Sequence, residues 1–309
     1  MEKIRQYFLI PILALLSLVL TGSNASLPAQ VYWKSHLPNT PMPKALQELL
    51  HIDGGITSDF LKGSLIAVER GKRVTYGTGY WSESQAFEKG QIFNATTVYF
   101  QRNNLRPYKK MNIIFTKSIT GVNFLPIKAA KSIPFSTSKL AQILNYTSIN
   151  SNSNEAKVMK QTIEECEAPG IKGEDKHCAT SLESLVDYVV SKLGKRVKTV
   201  SNQVEEENKE QVYTIQKGIK MMGEKNHVVC HKERYAYAVY YCHKIRDTNV
   251  YVVPMIGEDG SKGEAVVVCH LDTSDWNPKH YSFQVLNEKP GGAPVCHFVN
   301  SDTIVWLPN

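Results

Sequence analysis

Four Cys-His dipeptides, Cys230-His231, Cys242-His243, Cys269-His270 and Cys296-His297, fall in the last third of this 309-residue chain. They use four of its six cysteines and four of its nine histidines, with gaps of 10, 25 and 25 residues. Chance does not readily place four identical pairs of two rare residue types in one segment. On a β-strand, adjacent side chains point to opposite faces. A sulfur and the imidazole beside it then cannot easily hold the same ion. The simplest arrangement puts the four sulfurs on one side and the four imidazoles on the other. Oxidised sulfurs would staple strand ends, in any of three connectivities, and the histidines would gather as a nitrogen-only site. An imidazole-rich site suits copper, zinc, nickel or iron. Asp272 and His280 lie near in sequence and could add a ligand or a supporting partner. Two other readings compete. One is a thiolate zinc site, although structural zinc sites space their paired ligands only a few residues apart. The other gives the histidines ordinary hydrogen bonds beside structural disulfides.

The texture around these pairs is β-rich. Short runs at His227 to Cys230, Tyr237 to His243, Val250 to Met255, Glu264 to His270, Tyr281 to Val285, Cys296 to Val299 and Thr303 to Leu307 read as strands. Val98-Tyr99-Phe100 and Asn112 to Phe115 read the same way. Two helices precede the array. One runs from about Ser153 to Glu165; the other is capped by Thr180 or Ser181, repeats Leu182, Leu185, Val186, Val189 and Leu193, and stops at Gly194. Cys166 and Cys178 flank the link between these helices and are expected to pair. The fold class expected is α+β: an antiparallel, β-rich, disulfide-stapled domain with two packed helices.

The N-terminus reads as a secretory signal peptide over residues 1–25: Lys3 and Arg5, an apolar run from Tyr7 to about Leu20, then Ser23-Asn24-Ala25. Cleavage after Ala25 would leave 309 − 25 = 284 residues in an oxidising compartment, where an even cysteine count favours disulfides. The expected location is the secretory pathway, then the extracellular space, cell wall or vacuole, with no membrane attachment after cleavage. Asn94 and Asn145 begin sequons that could carry N-glycans. The formal charge of +7 is scattered rather than gathered in a stripe with stacking aromatics, so a nucleic-acid partner is not expected. It is compatible with weak attraction to acidic cell-wall polysaccharide. Residues 26–97 read as a variable extension, with a proline cluster at Pro38, Pro41 and Pro43 and a short apolar helix around Ala45 to Leu50.

The Cys-His spacing resembles the signature of the plant BURP domain. Its surroundings agree: Tyr235 to His243 (YAYAVYYCH), Cys269 to Pro278 (CHLDTSDWNP), Pro294 to Phe298 (PVCHF), Ser132 to Leu140 (SIPFSTSKL) and Cys178 to Ser184 (CATSLES). The likeness covers residues 98–309. In the extension, Tyr32-Trp33-Lys34 and Pro38 to Lys44 (PNTPMPK) resemble the unknown-seed-protein subgroup. The resemblance implies a seed- or stress-associated plant protein, cysteines paired as disulfides, and copper on His231, His243, His270 and His297.

Some members of the family are copper-dependent cyclases that modify a core peptide within their own chain, while others are cell-wall or storage-associated proteins with no demonstrated reaction. A core peptide here would centre on Tyr76, Gly77 and Trp81, because Gly77 and Trp81 have the four-residue spacing that such crosslinks use. A glycine radical is stabilised by its flanking amides, and a shared chain supplies proximity. The sequence departs from the family at Gln101-Arg102-Asn103-Asn104, where acidic residues are usual, and at Tyr235-Ala236-Tyr237, where the middle residue is usually proline.

Overall fold

The computed structural model describes residues 28–50, 97–117, 121–224 and 226–309. Residues 1–25, which read as a signal peptide, the candidate core peptide Tyr76, Gly77 and Trp81, and Asn94 lie outside the described residues. In chain order the elements are α1 (Pro28–His36), α2 (Lys44–Gln47), β1 (Tyr99–Gln101), β2 (Lys110–Ile114), α3 (Ile127–Ser132), α4 (Leu140–Thr147), α5 (Asn154–Glu167), β3 (Glu174–Ala179), α6 (Leu182–Leu193), β4 (Val197–Val200), β5 (Gln203–Val204), β6 (Glu210–Ile215), β7 (Lys220–Glu224), β8 (Val228–Glu233), β9 (Val239–Ile245), β10 (Thr248–Gly257), β11 (Lys262–His270), α7 (Tyr281–Leu286), β12 (Val295–Phe298) and β13 (Ile304–Pro308).

The strands form two antiparallel sheets. The larger runs β1-β12-β11-β10-β6-β2, with β5 added to β11 and β7 to β10; the smaller runs β3-β9-β8-β13-β4. In the larger sheet β1 and β2 sit at opposite ends of the order, yet only residues 102–109 join them. The sheet curls around its own core, to which Phe100 of β1, Met111 and Ile113 of β2, and Val267 and Phe298 near its middle all contribute.

Alternation along β8, β11 and β13 divides the interior into layers. Val229, Val250, Val266, Val268, Val305 and Leu307 meet between the two sheets. Val228, Cys230, Ile304 and Trp306 face the other way, against Leu182, Leu185, Val186 and Val189 of α6. Helix α6 begins where the Ser181 hydroxyl accepts from the Ser184 N–H and ends at Gly194, whose φ of 80° favours glycine.

Of the two expected helices, α6 packs on the smaller sheet, and α5 reaches that sheet through Val239 of β9 and the Cys166–Cys178 tie to β3. Helix α5 joins α3 and α4 in a separate cluster around Tyr235, Ala236 and Tyr237. The segment linking α5 and α6 is not merely a loop: it contains strand β3, paired with β9 along its whole length. Tyr281 to Val285 is also not a strand. It forms α7, capped by His280 and closed by Asn287 in the left-handed region. Its apolar-polar alternation mimics a strand, but a turn buries Phe283 and leaves Val285 exposed.

The beginning of the extension shares this core. Trp33 and Leu37 of the α1 region and Leu46, Leu49 and Leu50 of the α2 region pack with α6 and Trp306. The Trp33 and Trp306 rings lie 5.5 Å apart. The Trp33 indole N–H donates to the Thr40 carbonyl at 2.8 Å, and the Thr40 hydroxyl donates to Val197 at 2.6 Å. The Tyr32 hydroxyl donates to Asp187 of α6.

Candidate functional site

The register of the hairpins pairs the cysteines. Cys230 stands opposite Cys242 across β8 and β9, and Cys269 opposite Cys296 across β11 and β12. Both pairs are disulfides, with Cα separations of 3.9 and 4.0 Å. Cys166 and Cys178 form the third, tying α5 to β3. No free cysteine is present among the described residues, which removes the thiolate zinc reading.

Each imidazole lies one residue from its cysteine and therefore on the other face. His231 and His243 share the face of Val229, and His270 shares that of Val268, so these rings point into the space between the sheets. The sulfurs do not share one side, as the simplest arrangement had them. They sit on the two outer faces, Cys230 and Cys242 under α6 and Cys269 and Cys296 in the core of the curled sheet.

The histidines come together as two pairs, one from each sheet. His231 Nε2 lies 3.2 Å from His243 Nε2, and His270 Nε2 lies 3.4 Å from His297 Nε2. The pairs are near enough that a proton on a ring of one would disfavour a proton on a ring of the other. No group of three or more potential ligands is gathered closely enough to hold one ion among the described residues. Burial, reinforced by the neighbouring rings, holds His231 and His270 well below the usual imidazole range. Burial also draws His297 down to about 4, against a backbone hydrogen bond that favours its charged form. These rings are neutral at ordinary pH, the form in which imidazole binds a metal.

The outer nitrogens set the tautomers. His297 Nδ1 lies 2.8 Å from the Phe298 carbonyl, which can only accept, so His297 carries its proton there. The Thr248 hydroxyl donates to the Arg246 carbonyl at 3.2 Å and is left to accept from His270 Nδ1–H at 3.2 Å. Both Nε2 atoms of this pair therefore present lone pairs to each other. Two opposed lone pairs in a buried site are complementary to a cation. The other pair differs. His243 Nδ1–H donates to Glu174 Oε1 at 2.8 Å, leaving Nε2 as an acceptor. The Thr303 hydroxyl, 3.4 Å from His231 Nδ1, can donate to it, so that His231 Nε2–H donates to His243. This pair can satisfy itself as an ordinary hydrogen bond.

Glu174, Thr248 and Thr303 had no signal in the sequence. Glu174 reaches the site because β3 pairs Lys176 opposite His243. Its Oε1 also accepts from the Tyr241 hydroxyl at 2.8 Å and its Oε2 from the Ile171 N–H at 3.0 Å. Burial pushes this carboxyl up, but the hydrogen bonds from His243, Tyr241 and the Ile171 N–H pull it down to about 2. Of the extra candidates, Asp272 is exposed and accepts from Ser274 at 2.9 and 2.6 Å in a local turn, which gives it a structural job. His280 is buried beside Trp276, and Trp276 stands edge-on to His270 at 4.9 Å. Asn145 is exposed on α4.

Comparison with known proteins gives one consistent result. The profile of the BURP domain matches residues 98–308. The chain is 40% identical over 295 residues to BURP domain-containing protein 5 of Oryza sativa subsp. japonica, covering 92% of this chain and 88% of the relative. It is 46% identical over 221 residues to BURP domain protein RD22 of Arabidopsis thaliana, covering 69% of this chain and 56% of the relative. It is also 31% identical over 334 residues to Protein RAFTIN 1B of Triticum aestivum, covering 93% of this chain and 92% of the relative.

Proposed function

The chain belongs to the BURP domain family, and on that premise we propose that it is a secreted plant protein, seed or stress associated, that binds copper through histidines held between its two sheets. The observation that carries this reading is the His270–His297 pair, whose two Nε2 lone pairs oppose each other at 3.4 Å while both Nδ1 protons are committed elsewhere. An outer nitrogen that donates to a carbonyl, hydroxyl or carboxylate is the usual support of a metal-bound histidine. His270 and His297 would hold the ion, with His231 and His243 as the second pair of donors. Neutral imidazoles without thiolates suit copper, the metal that the family resemblance implies. Copper bound there supplies a one-electron couple.

The protein's own contribution is orientation and exclusion of water. Thr248, Phe298 and Glu174 hold the rings, and the valines between the sheets keep the site dry. The disulfides support this by locking each histidine's strand to its neighbour at the adjacent residue. The seed and stress association rests on the likeness of Tyr32 to Lys44 to the unknown-seed-protein subgroup, and secretion on the leader sequence and the oxidised cysteines.

The test is a Cu(II) titration of the purified full chain, followed by metal analysis and by nitrogen hyperfine structure in the electron paramagnetic resonance spectrum. Wild type should bind copper with imidazole coupling. His270→Ala and His297→Ala should each abolish the tightest binding, and Thr248→Val should weaken it roughly 10–100-fold. His231→Ala should leave a first equivalent bound. Copper binding that is absent in wild type, or equal in wild type and His270→Ala, would overturn the reading.

A further inference from the structure

Trp276 and His280 lie just before α7 with their rings 4.7 Å apart. Each is only 6% exposed. Trp276 Nε1 and His280 Nε2 have no hydrogen-bond partner among the described residues. The His280 tautomer follows from its other nitrogen: Nδ1 accepts from the Ser282 backbone N–H at 3.3 Å and lies 2.7 Å from the Ser282 hydroxyl, which can donate to it as well, and a proton on Nε2 satisfies both contacts. Both unpartnered atoms are therefore donors, and a buried donor left unpaired is costly enough to call for an explanation.

Both side chains line a narrow cleft of about 30 Å3, beside β3 and β9. Two further polar side chains on its wall also donate. Asn277 Oδ1 accepts from the Lys279 N–H at 2.9 Å, so the Asn277 amide has its N–H groups to offer. The Lys176 ammonium uses one N–H on the Glu165 carbonyl at 2.7 Å and brings a positive charge. Glu174 borders the cleft too, but both its oxygens are engaged by Tyr241, His243 and Ile171. The Glu165 carboxyl is held by burial, against the pull of Lys176, up at about 7, so much of it is uncharged in neutral or mildly acidic solution.

We propose that this cleft binds a carboxylate group through the Trp276 and His280 N–H donors and the Lys176 ammonium. The volume admits the tip of a ligand, so the carboxylate is a terminal group and the remainder of the molecule lies outside. A sugar acid and an amino-acid carboxylate share this chemistry. The site uses none of the four Cys-His histidines as a ligand, although it borders them: Glu174 on its wall holds His243, and Trp276 lies against His270.

The experiment titrates the full chain with 13C-labelled acetate, followed by nuclear magnetic resonance, with acetamide as the neutral isostere. Acetate should saturate and bind at least ~10-fold more tightly than acetamide, the scale expected for a charge-assisted hydrogen bond. Trp276→Phe, which keeps the ring, and His280→Asn, which keeps an acceptor for Ser282, should each weaken acetate roughly 10-fold. Lys176→Met should erase the preference over acetamide; it lies outside the Trp276–His280 turn and decides the matter if the other two variants misfold. Glucuronate and N-acetylglycine identify the source, and saturation by either supports the proposal. Equal binding of acetate and acetamide, unchanged binding in the variants, or saturation that requires added Cu(II) would overturn it.

Discussion

A buried histidine pair reports its chemistry through the atoms on its far side. Between His270 and His297 the outer partners force both inner nitrogens to be acceptors, whereas between His231 and His243 the Thr303 hydroxyl can relieve the conflict. The residue types of the site were legible in the sequence, and so was the separation of sulfur from imidazole, because both follow from the period of a strand. Glu174 and Thr248 were not legible. Each touches a histidine through a contact that only strand pairing or a chain turn creates. A second, half-buried carboxyl makes the residue scale testable. Glu165 is raised by burial from about 4.5 to about 7, with Glu174 adding to the rise and Lys176 and Arg234 opposing it. Its folded value lies above its unfolded one, so the unfolded chain ionises first, and stability falls as pH rises from about 4.5 to about 7 and then levels off. Glu165→Gln should therefore stabilise the protein at pH 8 by about 1–3 kcal/mol and do nothing below about pH 4.5. Urea denaturation at both pH values checks this, and a gain at pH 4 equal to that at pH 8 would refute it.

Among the elements, those with a strong local pattern were readable and those made by context were not. Helix α6 has its apolar residues at helical spacing, a serine cap and a terminal glycine, and it forms as the sequence implies. Strand β3 reads Glu-Asp-Lys-His-Cys-Ala, with no apolar alternation. It becomes a strand because β9 offers an edge and the Cys166–Cys178 disulfide holds it in place. Helix α7 has the period of a strand over five residues. The His280 cap and the burial of Phe283 against Tyr99, Trp276 and Val295 override that pattern. The cap on α6 provides the test at this scale. Ser181→Ala should cost about 1 kcal/mol, because the Ser184 N–H loses its partner at a buried helix start. Ser181→Asp should retain most of the stability, and thermal melts of the two variants separate a capping role from simple packing.

For the whole molecule, the two-sheet architecture sets what the extension does. The α+β class and the antiparallel pairing follow from the strand runs. The division into two sheets does not, because consecutive strands in the chain, such as β9 and β10, belong to different sheets. The profile match begins at residue 98, yet Trp33, Leu37 and Leu46 lie in the same core as Trp306 and α6. Trp33→Ala should lower stability by about 3–5 kcal/mol, the range for emptying a buried tryptophan site. A loss below 1 kcal/mol would show that residues 28–50 rest on the surface of an independently stable body.

The pairing of β1 with β12 has a consequence in time. Their nearest ends, Gln101 and Val295, are 295 − 101 = 194 residues apart in the chain. At roughly 5–20 residues per second, a nascent chain exposes β1 for about 10–40 s before its mate has been translated. Closing so distant a contact is slow in its own right. Throughout that interval Tyr99 and Phe100, both core residues of the finished protein, remain in water on the growing chain. A translational pause after β2 would lengthen that exposure, and a holding chaperone would have its substrate there.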